Sequence, residues 1–203
     1  DLRFSTILHS SGSTGMPKGA MLPGRAIAGM WREFPKNAPA VTIGLAPLNH
    51  MLGRSILSGT LGVGGRLNFT LAEDMSTLME DIRVTRPTTI SLVPRIVDMI
   101  YKDYLNQVTR RMDEKGVSEN RAREEIKNEF RDVYLGDRLL AGVVASAPTT
   151  REVRDFMKSC FNIPIADGYS ATEAGAGTIS SNNRITRPNV LSYKLRDTPE
   201  LGY

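Results

Sequence analysis

At 203 residues, with 40% hydrophobic and 24% charged side chains, the chain can bury a sizeable core as one large domain or two modest ones, and its composition is that of a folded protein, not a disordered one. The formal net charge of +4 permits an anionic ligand, but the basic residues are not clustered with interleaved aromatics, which argues against nucleic acid as a partner. The single cysteine, Cys160, rules out internal disulfides and a cysteine-based zinc cluster and reads best as a small buried hydrophobe; no stretch has the apolar length of a transmembrane segment and no signal-peptide core opens the chain, so a cytoplasmic location is expected.

The short apolar run Ile7-Leu8 predicts a strand, and it delivers the loop Ser10-Ser11-Gly12-Ser13-Thr14-Gly15-Met16-Pro17-Lys18-Gly19. Three glycines, four hydroxyl side chains and one lysine suit an anion: glycines let backbone amides approach a phosphate, hydroxyls donate to its oxygens, and the lysine adds a mobile point charge. The P-loop pattern G-x-x-x-x-G-K-[ST] fails here, because counting from Gly12 its second glycine is Pro17, and Lys18 is followed by Gly19. Pro17 fixes φ and removes a donor, so this is another kind of phosphate loop. It follows Asp1 so closely that its N-terminal flanking strands are expected to be missing and the chain to be a fragment.

Beyond the loop, a helix is predicted from Arg25 to Phe34, stopped by Pro35, and a strand from Val41 to Ala46, ended by Pro47. Leu48-Asn49-His50 then enters a loop or helix start, with a helix from Ser55 to Leu61 and a strand from Arg66 to Thr70. Asp74 is placed to cap a helix carrying Met75, Leu78, Met79 and Ile82, and Thr89 to Val93 is the next strand. Strand, helix and strand in succession predict an α/β layered fold with largely parallel sheets. Pro94 starts a helix with Ile96, Val97, Ile100, Tyr104, Leu105 and Val108 on one face. Between Lys102 and Asp132 eight basic residues balance eight acidic ones, which predicts a solvated helical hairpin near 102–134, turned at Gly116 with Ser118 as a cap. A strand from Arg138 to Ala145 leads to Ser146-Ala147-Pro148. Thr149 and Glu152 have capping-box spacing for a helix to Phe161. The strand Ile163 to Ala166 enters Asp167-Gly168-Tyr169-Ser170-Ala171-Thr172-Glu173, the kind of strand end where an α/β sheet places ligand chemistry, and the chain from about 175 reads as extended connection.

The loop from Ser10 to Gly19, the segment Pro47 to His50 and the segment Asp167 to Glu173 resemble, in order and spacing, the motifs of the adenylate-forming superfamily of acyl-CoA ligases, luciferases and peptide-synthetase adenylation domains. The first matches the S-G-[ST]-T-G-x-P-K-G pattern without a mismatch, and the third resembles G-Y-G-x-T-E. Pro47 through Arg54, the Val93-Pro94-Arg95 step, the charged hairpin and the tail from Arg187 to Tyr203 are similar to the adenylation domain of a carboxylic acid reductase, with residues 1–203 as the middle of that one domain.

The resemblance implies ATP-dependent activation of a carboxylic acid to an acyl-adenylate, which passes to a thiol of a carrier domain or CoA. By that likeness Ser10, Ser11, Gly12, Ser13, Thr14, Gly15 and Lys18 bind the β- and γ-phosphates, Thr172 contacts the α-phosphate and Glu173 holds Mg2+. Tyr169, with Gly168 and Ser170, packs on adenine, Asp167 accepts from its amino group, and Ser146, Ala147 and Pro148 form the opposite wall. His50 orients the substrate carboxylate. ATP or AMP and Mg2+ are the implied cofactors; NADPH and a phosphopantetheine thiol belong to the parent enzyme if it is a reductase. Two positions depart from the pattern, Ser170 and Ala145, each standing where glycine is usual. The family's ribose-binding aspartate and C-terminal lysine are not in the chain, so this polypeptide alone is not expected to complete efficient adenylation. The competing reading is a non-catalytic nucleotide-binding or scaffold fragment.

Overall fold

The structure, a computed structural model, describes residues 3–10, 16–32, 40–72, 74–145, 150–161, 165–175, 179–181, 184–186, 190–194 and 197. Strands β1 (Phe4–Ser10) and β2 (Lys18–Pro23) form an antiparallel pair, followed by helix α1 (Gly24–Met30). Strand β3 (Val41–Gly44), helix α2 (Met51–Gly62) and strand β4 (Arg66–Phe69) make a parallel crossover unit. Helix α3 (Leu78–Thr85) leads to β5 (Thr89–Leu92), which pairs in parallel with β6 (Ala141–Ala145), as β6 does with β7 (Ile165–Tyr169). Two short antiparallel strands, β8 (Ser180–Ser181) and β9 (Arg184–Ile185), extend that sheet where only connecting chain was expected. The fold is α/β.

Threonines stitch β3 to β5. The Val41 N–H donates to Thr88 Oγ1 at 2.9 Å, and the buried Thr42 hydroxyl donates to the Thr89 carbonyl at 2.9 Å. Two polar side chains are thereby satisfied where an unpaired hydroxyl would be costly.

Between β5 and β6 run α4 (Pro94–Lys115) and α5 (Glu119–Glu129), with Pro94 opening the first and Gly116, at φ 60°, turning the hairpin. Ser118 sits at the N-cap of α5 with extended backbone, but its side chain makes no capping bond. The hairpin's inner faces carry Ile96, Val97, Ile100, Tyr104, Val108, Ala122 and Ile126, all buried. Outside, Arg111 donates to both Glu125, at 3.0 Å, and Glu129, at 2.8 Å. Hydrogen bonds from Arg121 and Arg111 hold the Glu125 carboxyl down at about 2. Each fully buried large apolar side chain stabilises by about 1.5–3 kcal/mol, so the inner seam holds the hairpin and the solvent-screened ion pairs are secondary. After α5 the chain takes one π-helical turn, Phe130–Tyr134, which turns Phe130 into the core against Tyr104.

One expected cap moves. The Asp74 carboxylate accepts from Ser76 N–H at 2.9 Å and closes a local turn, because Met75 takes a φ of 63° and interrupts the helical path. Helix α6 (Arg151–Phe161) is capped by Thr150, whose hydroxyl accepts from Val153 N–H at 3.3 Å; Thr149 lies outside the described residues. Glu152 accepts a short hydrogen bond from the Tyr101 hydroxyl of α4. Among the described residues no helix is long and apolar enough to cross a membrane.

Cys160, on the inner face of α6, is fully buried, and desolvation pushes its thiol up to about 12. Native protein is therefore expected to resist iodoacetamide at Cys160 at pH 8 and to react at once in denaturant, as mass spectrometry would show; labelling of the native state at the denatured rate would contradict this packing.

Candidate functional site

The register of the β1–β2 pair places Ser10 opposite Lys18 and His9 opposite Gly19. Lys18 and Gly19 therefore belong to a strand, and the connection between the two strands is shorter than the sequence suggested. A Cβ on Gly19 would come within 2.8 Å of Ile7 Cγ2, so a glycine keeps the strand flat against its neighbour. Ser11, Gly12, Ser13, Thr14 and Gly15 lie outside the described residues, as do Ser146, Ala147 and Pro148.

The second component is the start of α2, four residues earlier than the periodicity predicted. His50 is its N-cap, with φ −105° and ψ 147°, and its Nδ1 accepts from Leu52 N–H at 3.2 Å. A neutral imidazole in that role carries its proton on Nε2, which is left as a donor. Gly53 makes this start possible, since a Cβ there would lie 2.3 Å from the Pro47 carbonyl oxygen and 2.6 Å from that of Ala46. Arg54 Nε donates to the Leu48 carbonyl at 2.8 Å, and its Nη1 donates to the Thr6 hydroxyl of β1 at 3.3 Å.

The third component follows β7. Asp167, Gly168 and Tyr169 are part of the strand itself, and the chain leaves it at Ser170 for a single 3-10 turn, Thr172–Ala174. Gly175 closes the turn at φ 73°, donating to the Thr172 carbonyl at 3.1 Å; a Cβ there would also press on Ala26 of α1 at 3.3 Å. The turn packs against β1 and β2.

The three components meet around an open cavity of about 590 Å³, lined by Ile7, Leu8, His9, Asn49, His50, Arg54, Ser170, Ala171, Thr172 and Glu173. His50, Ser170, Thr172 and Glu173, singled out separately in the sequence, are thus brought together. Lys18, Gly168 and Tyr169 are not part of this lining, and Tyr169 is 61% exposed. Asn49, Arg54 and His9 line the cavity without having been assigned roles; His9 and His50 are the only two histidines in the chain. The guanidinium of Arg54 and the donor side chains of Asn49, His50, Ser170 and Thr172 outnumber the one carboxylate, Glu173, in this lining, a balance suited to an anionic ligand.

The family model described as AMP-binding enzyme matches residues 3–198. The chain belongs to the AMP-binding enzyme family. Among similar members of that family is a carboxylic acid reductase of Mycobacterium marinum, 38% identical over all of this chain and 17% of that protein. Two solved structures of the Segniliparus rugosus carboxylic acid reductase also superpose. The A-PCP didomain in complex with AMP has a TM-score of 0.87 at 37% identity over 100% of this chain and 28% of that one. The A domain in complex with AMP and a co-purified carboxylic acid has a TM-score of 0.86 at 36% identity over 100% of this chain and 32% of that one. The chain spans less than a third of each relative. The His50 and Thr172–Glu173 segments of this AMP-binding enzyme face the same cavity from different elements.

At Gly53 the obstructing atoms are backbone oxygens, which cannot swing aside as a side chain can. Gly53→Ala is expected to lower stability by about 1–3 kcal/mol, read from urea unfolding of the full-length protein; an unchanged midpoint would refute the close approach.

Proposed function

We propose that the protein carrying this chain activates a carboxylic acid with ATP, forming an acyl-adenylate with release of pyrophosphate, and passes the acyl group to a thiol, as a carboxylic acid reductase or a fatty-acid-CoA ligase. The observation that carries this reading is the convergence of His50, Thr172 and Glu173 on one cavity beside the β1–β2 pair, together with relatives whose solved domain holds AMP and a carboxylic acid. Residues 1–203 would form the central part of one adenylation domain.

In the reaction a carboxylate oxygen attacks the α-phosphorus, and the bond to the bridging oxygen breaks, that oxygen leaving with the electron pair on pyrophosphate. Negative charge grows on the leaving group, so donors and a cation fixed there lower the barrier. Ser13, Thr14 and Lys18, with Ser10, Ser11, Gly12 and Gly15, fill that role. Thr172 donates to the α-phosphate, and His50, held by its Nδ1 bond, offers its Nε2–H to the acid's carboxylate. Tyr169 stacks on adenine with Gly168 and Ser170 beside it, Asp167 accepts from the amino group, and Ser146, Ala147 and Pro148 close the other side.

Glu173 fits Mg2+. Among the described residues no group of three His, Cys, Asp or Glu is placed to hold a metal, so an all-protein cage is absent there; one carboxylate leaves the remaining positions to phosphate oxygens and water, as that ion prefers. When bound it would supply charge to the phosphates. In a reductase, NADPH and a phosphopantetheine-bearing carrier domain would complete the chemistry; in a ligase, free CoA would take the acyl group; the expected setting is cytoplasmic.

Carboxylate-dependent exchange of pyrophosphate into ATP tests the assignment in the full-length protein. Lys18→Ala and Glu173→Gln should each lower exchange by roughly 100-fold. Exchange that survives both substitutions would remove these residues from the mechanism. ATP binding without exchange, whatever the acid, would favour a non-catalytic nucleotide-binding role.

A further inference from the structure

We propose that Arg54 is a positioning residue, a brace that fixes the His50 loop to the strand leading into the phosphate loop. Three observations converge on it. Its Nε holds the Leu48 carbonyl at 2.8 Å, two residues before His50, and its Nη1 holds the Thr6 hydroxyl on β1, 48 positions away in the chain. Its backbone N–H donates to the His50 carbonyl at 3.2 Å, so the same residue closes the first turn of the helix that His50 caps. Its side chain lines both the 590 Å³ cavity and a separate groove of about 330 Å³ between α1 and α2, walled by Ile27, Trp31 and Leu57. A planar guanidinium can span two acceptors in fixed geometry, whereas an ammonium is a single point charge. Arg54 therefore ties the chain just before His50 to Thr6 of β1.

The consequence for catalysis rests on the adenylation reading; the brace itself does not. In the full-length protein, hydrogen exchange of the peptide covering 47–54 should rise about ten-fold in Arg54→Met. Thr6→Val should raise it less, and the double variant no further than Arg54→Met alone, since both remove one bridge. Unchanged exchange, or additive effects, would overturn the brace. If Arg54→Met does not fold, Thr6→Val decides alone, and protection equal to wild type would overturn it. In pyrophosphate exchange, kcat should fall about ten- to a hundred-fold while KM for ATP and acid stays within about three-fold, with no rescue by Arg54→Lys. A rise in KM reversed by Arg54→Lys would make Arg54 a charge contact to substrate and overturn the positioning role. A wild-type protein without exchange activity would refute the proposed function, and the hydrogen-exchange result would then decide the brace.

Discussion

The closeness of α2 to the turn that precedes it governs the site. A parallel pair such as β3–β4 cannot be joined by a tight turn, so the chain must cross over through a helix, and that helix must begin near the carboxyl end of β3. Here it begins with Gly53 in contact with the carbonyls of Ala46 and Pro47, which leaves no room for any side chain. That contact determines where His50 can cap, and the cap determines which imidazole nitrogen remains a donor. Arg54, one residue further, then reaches the loop carbonyl and β1 together.

The other side of the cavity obeys the same rule from a different strand. β7 pairs in parallel with β6, and the chain leaves its carboxyl end into the 3-10 turn that presents Thr172 and Glu173. Gly175 lets the turn close at positive φ and lie against Ala26, so the turn is tied to α1, which directly follows β2. Carboxyl ends of two parallel strands thus face one antiparallel pair, and polar groups gather there because the crossover helices cover the rest of each strand.

Much of this was legible where local punctuation decides structure. Pro47, Pro94 and Gly116 bound β3, α4 and the hairpin turn close to where the sequence put them. Four residues of the cavity lining, His50, Ser170, Thr172 and Glu173, also stood out in the sequence, because polar side chains crowded into short loops have few structural uses. Illegible were choices made between distant segments. The Thr150 hydroxyl accepts from Val153 N–H at the start of α6, and Glu152 is engaged by Tyr101 across the helix packing, a partner 51 positions away. Asp74 has a capping side chain, but the positive φ of Met75 withholds the helix from it. Arg54 gave no local sign of its bonds, since its partner Thr6 lies on β1, 48 positions away.

The electrostatics of the cavity carry the proposed reading one step further. The His50 Nε2–H and the hydroxyls of Ser170 and Thr172 suit an anion, yet Glu173 faces the same space. A carboxylate beside a triphosphate is repulsive, and the repulsion grows as the effective dielectric falls. A purely anion-binding pocket has no use for it. On the proposed reading Glu173 would hold Mg2+, whose charge would offset that repulsion. On that reading the single carboxylate of the lining has a use that a purely anion-binding pocket would not give it.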